Sequence, residues 1–293
     1  MTVLRRMKDQ KSRNAAVPNV SWWTIANCTW QQMNKDNVSA LAAATAFYAL
    51  LCVFPTLTAL VSLYGLVADP TMVERQVVAT EGILPPEAVK LLATWLQVLA
   101  QEPTARFGIG LLISVLLASW SAWSATGMLM TAVNICYGDQ ERRGFVRFNL
   151  EAMALSAGLV LFGVIALALV AVLPVLLNLL PVSTAWLALI SLVRWPILAV
   201  LAIVGLAIVY RYAPARVPRK WEWVSWGAVI ATALWLVGSI AFTFYVSNVG
   251  SYDKTYGSLG AVIILLLWFY ISVYVILIGA ELNAVLERQA ARQ

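Results

Sequence analysis

Ser251-Tyr-Asp-Lys-Thr-Tyr-Gly-Ser-Leu-Gly-Ala261, running on to Gly279-Ala-Glu-Leu-Asn283, holds 26 consecutive uncharged residues between Lys254 and Glu281. As a helix rising 1.5 Å per residue this run is about 39 Å long, enough to cross a hydrocarbon core of about 30 Å with some tilt. The rest of the chain has the same character: 61% of its 293 residues are hydrophobic, 12% are charged, and the mean hydropathy is +0.81. A soluble domain of this length does not carry that balance. Lipid offers the backbone no hydrogen-bond partner, so long apolar runs without period-two alternation are helices rather than barrel strands. The expected fold is all-α, a polytopic integral membrane protein with six transmembrane helices plus interfacial amphipathic helices.

Residues 1–19 form a basic tail, with Arg5, Arg6, Lys8, Lys11 and Arg13 against Asp9. It lacks the apolar stretch and cleavage site of a secretory signal, and beside a membrane span it marks the cytoplasmic side rather than a nucleic-acid face. The membrane domain covers 20–289. Its first piece, 20–37, sets Trp22, Ala26, Trp30 and Met33 at helical spacing and reads as an amphipathic helix, either lying at the interface or packing on the bundle. Spans follow at about 38–68, 107–137, 150–177, 184–210, 223–249 and 256–282, before a short tail at 290–293. In the first span, Ala42 and Ala46 suit close helix contact, and Pro55 removes a backbone donor, so a kink is expected near Leu51. The polar connection Asp69–Arg106 contains an apolar stripe, Ala88, Leu92, Trp95, Leu96 and Leu99, too short to span and lid-like at the membrane surface. The second span is unusually polar, with Ser119, Ser121, Ser124 and Asn134. Such groups either bond to a neighbouring helix or line a wet cavity. Pro174, Asn178, Pro181, Ser183 and Thr184 supply a turn between the third and fourth spans.

Fifteen Lys and Arg residues fall in the two tails, in 20–37 and in the loops Asp139–Asn149 and Arg211–Glu222, whereas four lie on the other side: Arg75, Lys90, Arg106 and Lys254. The positive-inside rule puts both termini in the cytoplasm, and six helices satisfy that parity.

The chain has no histidine and no Gly-x-x-x-x-Gly-Lys-Ser/Thr. That removes His-based catalysis and Walker-type ATP binding. Cys28, Cys52 and Cys136 are too dispersed for a Cys-x-x-Cys site and read as reduced packing residues. We expect no enzyme activity, no cofactor, no metal and no nucleic-acid partner.

Tyr252-Asp-Lys-Thr-Tyr256-Gly-Ser-Leu-Gly-Ala-Val262, the later Leu-Leu-Trp-Phe-Tyr270 and Gly279-Ala-Glu-Leu-Asn283 resemble the C-terminal motif of the YihY/BrkB family of bacterial inner-membrane proteins. Ala42-Ala-Ala-Thr-Ala-Phe-Tyr-Ala-Leu-Leu51 with Phe54-Pro55, Asn134 through Arg143, Leu192-Val-Arg-Trp195 and Tyr210-Arg-Tyr-Ala-Pro214 are similar to further pieces of it. The resemblance implies six transmembrane helices with both termini inside the bacterial inner (plasma) membrane. Members carry the labels ribonuclease BN and virulence factor, and some are linked to envelope lipid export. The lack of histidine and of clustered metal-binding carboxylates argues against a nuclease here.

Arg194 is the lone charge between Ala152 and Tyr210. It lies about 15 Å and 25 Å from the two ends of its helix and should face the protein interior or a wet cavity, as an anion contact or as a structural ion pair, unless it snorkels outward. By depth its neighbours are Tyr252, Asp253 and Tyr256 at the outer face. Glu281 lies about 41 Å further along the last helix, at the inner face, where Glu151, Arg147 or Arg211 should meet it. Arg194, Tyr252, Asp253, Tyr256, Glu281 and Glu151, with Asn134 and Pro55, are the candidate substrate-binding or gating residues. They support a secondary transporter or exporter of a polar or anionic solute or a lipid, driven by gradients and in contact with membrane lipids. The alternative is a non-transporting envelope scaffold or assembly factor that binds partners through its surface helices.

Overall fold

The computed structural model describes residues 22–67, 104–167, 169, 184–215, 225–249 and 258–290. The basic tail, the Ala88–Leu99 stripe, the turn after the third span, most of the Arg211–Glu222 loop and the Tyr252–Tyr256 cluster lie outside these residues. The described chain is entirely helical: α1 (Trp22–Lys35), α2 (Val38–Val67), α3 (Thr104–Tyr137), α4 (Phe145–Leu167), α5 (Thr184–Tyr212), α6 (Trp226–Val249) and α7 (Ser258–Ala290). Five of them, α2, α3, α4, α6 and α7, are long and apolar enough to cross a membrane. The 29-residue α5 has the length, about 44 Å, and carries an apolar segment at Pro196–Tyr212. Together they make six transmembrane helices with one amphipathic helix leading in.

The helices pack in chain order, α2 on α3, then α4, α5, α6 and α7, and α7 closes the ring by returning to α2 while also touching α3 and α1. The buried core does not fill the ring evenly. It gathers at one end, from Met33, Val38, Ala42, Met130, Val133, Cys136, Ala152, Val209, Ala213, Ala228, Leu277, Ala280 and Ala284. Many of these are alanines, which let backbones approach where lipid supplies no hydrophobic drive for association. The expected pair Ala42 and Ala46 is fully buried there. Leu116 on α3, Val160 on α4, Val200 on α5 and Ile240 on α6 stay exposed, as lipid-facing positions should.

α2 runs as one helix through Pro55. In the polar second span Asn134 bonds outside its own helix, to Glu141 and Ala215, but the described hydroxyl bonds do not. Instead Ser114, Ser124, Thr126 and Thr131 return their hydroxyls to carbonyls one turn back in α3 itself, at 2.7–2.9 Å, which satisfies a hydroxyl in lipid at little cost. On α1 the face that docks is Ile25, Thr29 and Met33, packed beside Leu282 and Val285 of α7, whereas Trp22, Trp23 and Trp30 are exposed. α1 therefore both packs on the bundle and presents a tryptophan edge, because its buried face is rotated from the Trp22–Trp30 stripe.

Candidate functional site

The packed end is built from helix termini, and each terminus is closed by a residue from another element. α1 stops at Asn37, whose φ of 51° is left-handed, a conformation asparagine tolerates. The reversal leads straight into α2 and leaves Asp36 at the turn, held by Gln32 Nε2 at 2.7 Å. α3 ends in a Schellman turn. Gly138 has φ 70°, its N–H donates to Ile135 O at 2.9 Å, and the Asp139 N–H donates to Asn134 O at 3.0 Å. Arg288 of α7 donates to Cys136 O at 3.2 Å, placing a cation at the negative end of α3.

After that turn comes a clasp centred on Arg143. Its Nε and Nη2 donate to the two oxygens of Glu141, both at 2.8 Å, and its Nη1 donates to Glu151 Oε2 at 2.6 Å. Nη2 also donates to Ala213 O at 2.9 Å, at the end of α5, and the guanidinium lies 5.4 Å from the centre of the Phe148 ring. Arg147 completes Glu151 at 2.8 Å. Asn134 Nδ2 donates to Glu141 at 2.7 Å, while Asn134 Oδ1 accepts the Ala215 N–H at 2.7 Å. Asn134, the Glu141–Arg143 loop, Glu151 on α4 and the end of α5 are therefore one network. The Arg143 side chain is only 5% exposed, so these bonds are sheltered and charge-assisted.

Hydrogen bonds from Arg143, opposed in part by burial, hold the Glu141 carboxyl below its ordinary value of 4.5, and the same pairing raises Arg143. A carboxylate held low in the folded state adds stability above its unfolded pKa and loses it as pH falls through the folded one. The stability added by this pair should therefore be fully present and independent of pH near neutrality, and the melting temperature of wild type should fall on acidification below about 4.5. Glu141→Gln should lose that acid-sensitive part, as a pH series of melting curves would show.

The Gly279-Ala-Glu-Leu-Asn283 segment works in two directions. Gly279 and Asn283, one turn apart, face α6. Asn283 Oδ1 accepts the Gly227 N–H at 2.9 Å and its Nδ2 donates to Ser225 Oγ at 3.1 Å. Ser225 Oγ in turn accepts the Ala228 N–H at 3.2 Å, so α6 is capped jointly by its own serine and by α7. Gly279 leaves room for the backbone of Gly227 and for Tyr210, whose hydroxyl donates to Ile276 O at 2.7 Å.

Glu281 points away from that contact. It is 0% exposed, and neither carboxyl oxygen has a hydrogen-bond partner among the described residues. The expectation that it meets Glu151, Arg147 or Arg211 is overturned, since Glu151 is taken by Arg143 and Arg147. The ionisable groups beside Glu281 are Asp36, Arg288 and Cys136. Glu281 lies at the same end of the bundle as Glu151 but on the side of α7 that faces Asp36 and Cys136, because helix phase relative to neighbours is set by packing.

Of the other candidates, Pro55 lies mid-α2 and away from this end. Arg194 is carried by α5, with its side chain outside the described residues, as are Tyr252, Asp253 and Tyr256. The residues predicted for the outer layer are therefore not described, whereas Glu151, predicted for the inner one, is, and it shares a network with Asn134. Sequence reasoning missed Asp36, Glu141, Tyr210, Ser225, Asn283 and Arg288 as site residues. Glu141, Tyr210 and Asn283 stood inside quoted motifs, which was the available signal. Among the described residues no group of three or more His, Cys, Asp or Glu could hold a metal ion.

The chain is 28% identical over 256 residues to the ribonuclease-like protein YfkH of Bacillus subtilis, covering 85% of this chain and 90% of that one. It is 27% identical over 274 residues to a UPF0761 membrane protein of Vibrio atlanticus, covering 88% and 80% of the two chains. A UPF0761 membrane protein of Alteromonas mediterranea is 40% identical over 81 residues, 27% of each chain. No solved structure matches the chain. The family described as virulence factor BrkB matches residues 29–293, nearly the whole of the membrane domain built above, and this multi-pass membrane protein belongs to it.

Proposed function

We propose that the chain is a secondary transporter or exporter of a polar or anionic solute or a lipid across the bacterial inner membrane, closed at the α1 end. The observation that carries this reading is Glu281. A fully buried carboxyl with no described hydrogen bond, at the end of the bundle where the helices close, costs stability. An acid in a transmembrane helix is retained most often for a pathway or relay. With no ATP-binding motif, transport would run on existing gradients. The test is purified protein in liposomes, assayed for phospholipid scrambling and for release of a mixed pool of labelled anions. Flux above that of empty liposomes supports the reading, and none from well-folded protein overturns it.

Arg194 remains the proposed solute contact, being the lone charge within its span. Removing a charge-assisted hydrogen bond of about 1.5–3 kcal/mol predicts a loss of roughly tenfold or more in flux for Arg194→Ala, with unchanged melting behaviour.

The proposed topology has both termini in the cytoplasm, which puts α1 and its exposed Cys28 there. A membrane-impermeant maleimide is then expected to spare Cys28 in intact cells and to label it in inverted vesicles. In this orientation Trp23 and Trp30, 79% and 58% exposed, sit where tryptophan favours the lipid headgroup region. The same exposed edge favours the second reading, a scaffold holding a partner. A stable co-purifying protein without any flux would support that reading instead.

A further inference from the structure

Three groups surround Glu281, and two of them, Asp36 and the Cys136 thiol, lie close enough to interact with its carboxyl without making a well-formed hydrogen bond. From the α1–α2 turn comes Asp36, a second acid, already bonded to Gln32. From α3 comes the Cys136 thiol, itself fully buried. From about two turns further along α7 comes Arg288, but its guanidinium is engaged by the Cys136 carbonyl and lies against Gly138. The sequences of α2 and α6, which also pack on α7, contain no charged residue. Two acids therefore lie together in a closed site whose nearby arginine is committed to the end of α3.

A charge placed this way is stable only if something neutralises it. Calcium takes six to eight oxygens and magnesium a near-octahedral set, whereas among the described residues the two carboxyls and the Cys136 thiol do not converge as a metal-binding group. We propose that Glu281, with Asp36 beside it, binds a monovalent cation, either a proton or an alkali ion, taken up from the α1 side. The occupied site holds α7 against α3 and the α1–α2 turn. Emptying it leaves like charges facing each other and drives these elements apart. As the coupling step of a transport cycle this rests on the transporter reading; as a binding site it does not.

The test reads binding without flux. The full-length protein in detergent is melted across a pH series at fixed sodium, and across a sodium series at fixed pH. A ligand bound only by the folded state raises the melting temperature with its concentration. A proton site predicts that wild type loses stability as pH is raised and ignores sodium; an alkali-ion site predicts a rise with sodium. Glu281→Gln, which keeps the shape of the neutral acid, should lose whichever dependence wild type shows. Asp36→Asn, a second variant that leaves Glu281 in place, should weaken it. A wild type insensitive to both ions, or a Glu281→Gln protein that keeps the wild-type dependence, would overturn the proposal. Both results stand whether or not liposome flux is found.

Discussion

Gly227→Ala is expected to be the most damaging conservative substitution in the described bundle, abolishing the yield of monodisperse protein. A Cβ at Gly227 would run into the carbonyl oxygen of Gly279 and lie 2.6 Å from the Asn283 side chain that caps α6. The first obstacle is backbone within a helix, so it cannot rotate aside. Relief requires α6 and α7 to separate, which breaks the Asn283 cap and opens the contact around Tyr210. Overpacking in a tight core costs about 1–3 kcal/mol when side chains can shift, and a blocked backbone belongs at or above the top of that range. Gly279→Ala meets Gly227 O at 2.7 Å and the Ala231 Cβ at 2.8 Å and should be nearly as severe. Gly163→Ala on α4 is the control. Nothing lies within 4 Å of its added Cβ, so it should be neutral or slightly stabilising. Melting curves of the three variants separate steric exclusion at the α6–α7 contact from any general intolerance of alanine.

Arg143→Ala is expected to cost about 2–3 kcal/mol, seen as a lower melting temperature and faster hydrogen exchange at the start of α4. The substitution removes the donor shared by Glu141, Glu151 and Ala213 O. It leaves Glu151 with Arg147 alone, and Arg147 is 75% exposed. The two carboxylates are each 35% exposed, so water recovers part of the loss, which keeps the effect below that of a fully buried ion pair. Arg143→Lys should rescue only partly. An ammonium cannot hold both oxygens of Glu141 and still reach Glu151 and the α5 carbonyl. A mere charge effect would make lysine equivalent to arginine; the geometry says otherwise.

The six spans were legible because lipid reduces fold choice to a single question, how long each uncharged run is. Charges mark where a span ends, but not where a helix ends. α4 starts at Phe145, earlier than its apolar run, and α7 extends to Ala290 beyond Glu281. These extra turns carry the caps and clasps, so the site sits in residues that hydropathy discards. Asn134 and Glu151 could be chosen in advance as polar groups at a span boundary. Their partner Arg143 could not, because its role depends on a Schellman turn at Gly138 that folds the loop back over α3. The Glu281 error has a related origin. Depth along a helix follows from counting, whereas direction around it follows from contacts: Gly279 and Asn283 fix the side facing α6, and Glu281 is left facing α3 and the α1–α2 turn. The serines and threonines of α3 show the reverse case, a polar signal answered inside one helix and so carrying no information about a cavity.

The claim that joins these observations is that the packed α1 end is a gate that must open during transport. Ile25 of α1 and Val285 of α7 pack together at that end, between elements that would part on opening. A protein with cysteine at both positions, and serine at the exposed Cys28, can be bridged there by oxidation or by a short bifunctional thiol reagent. Measured in liposomes, flux of the transported lipid or anion is predicted to fall when the bridge forms and to recover on reduction of the oxidised form. Undiminished flux through fully bridged protein would contradict a gate at this end.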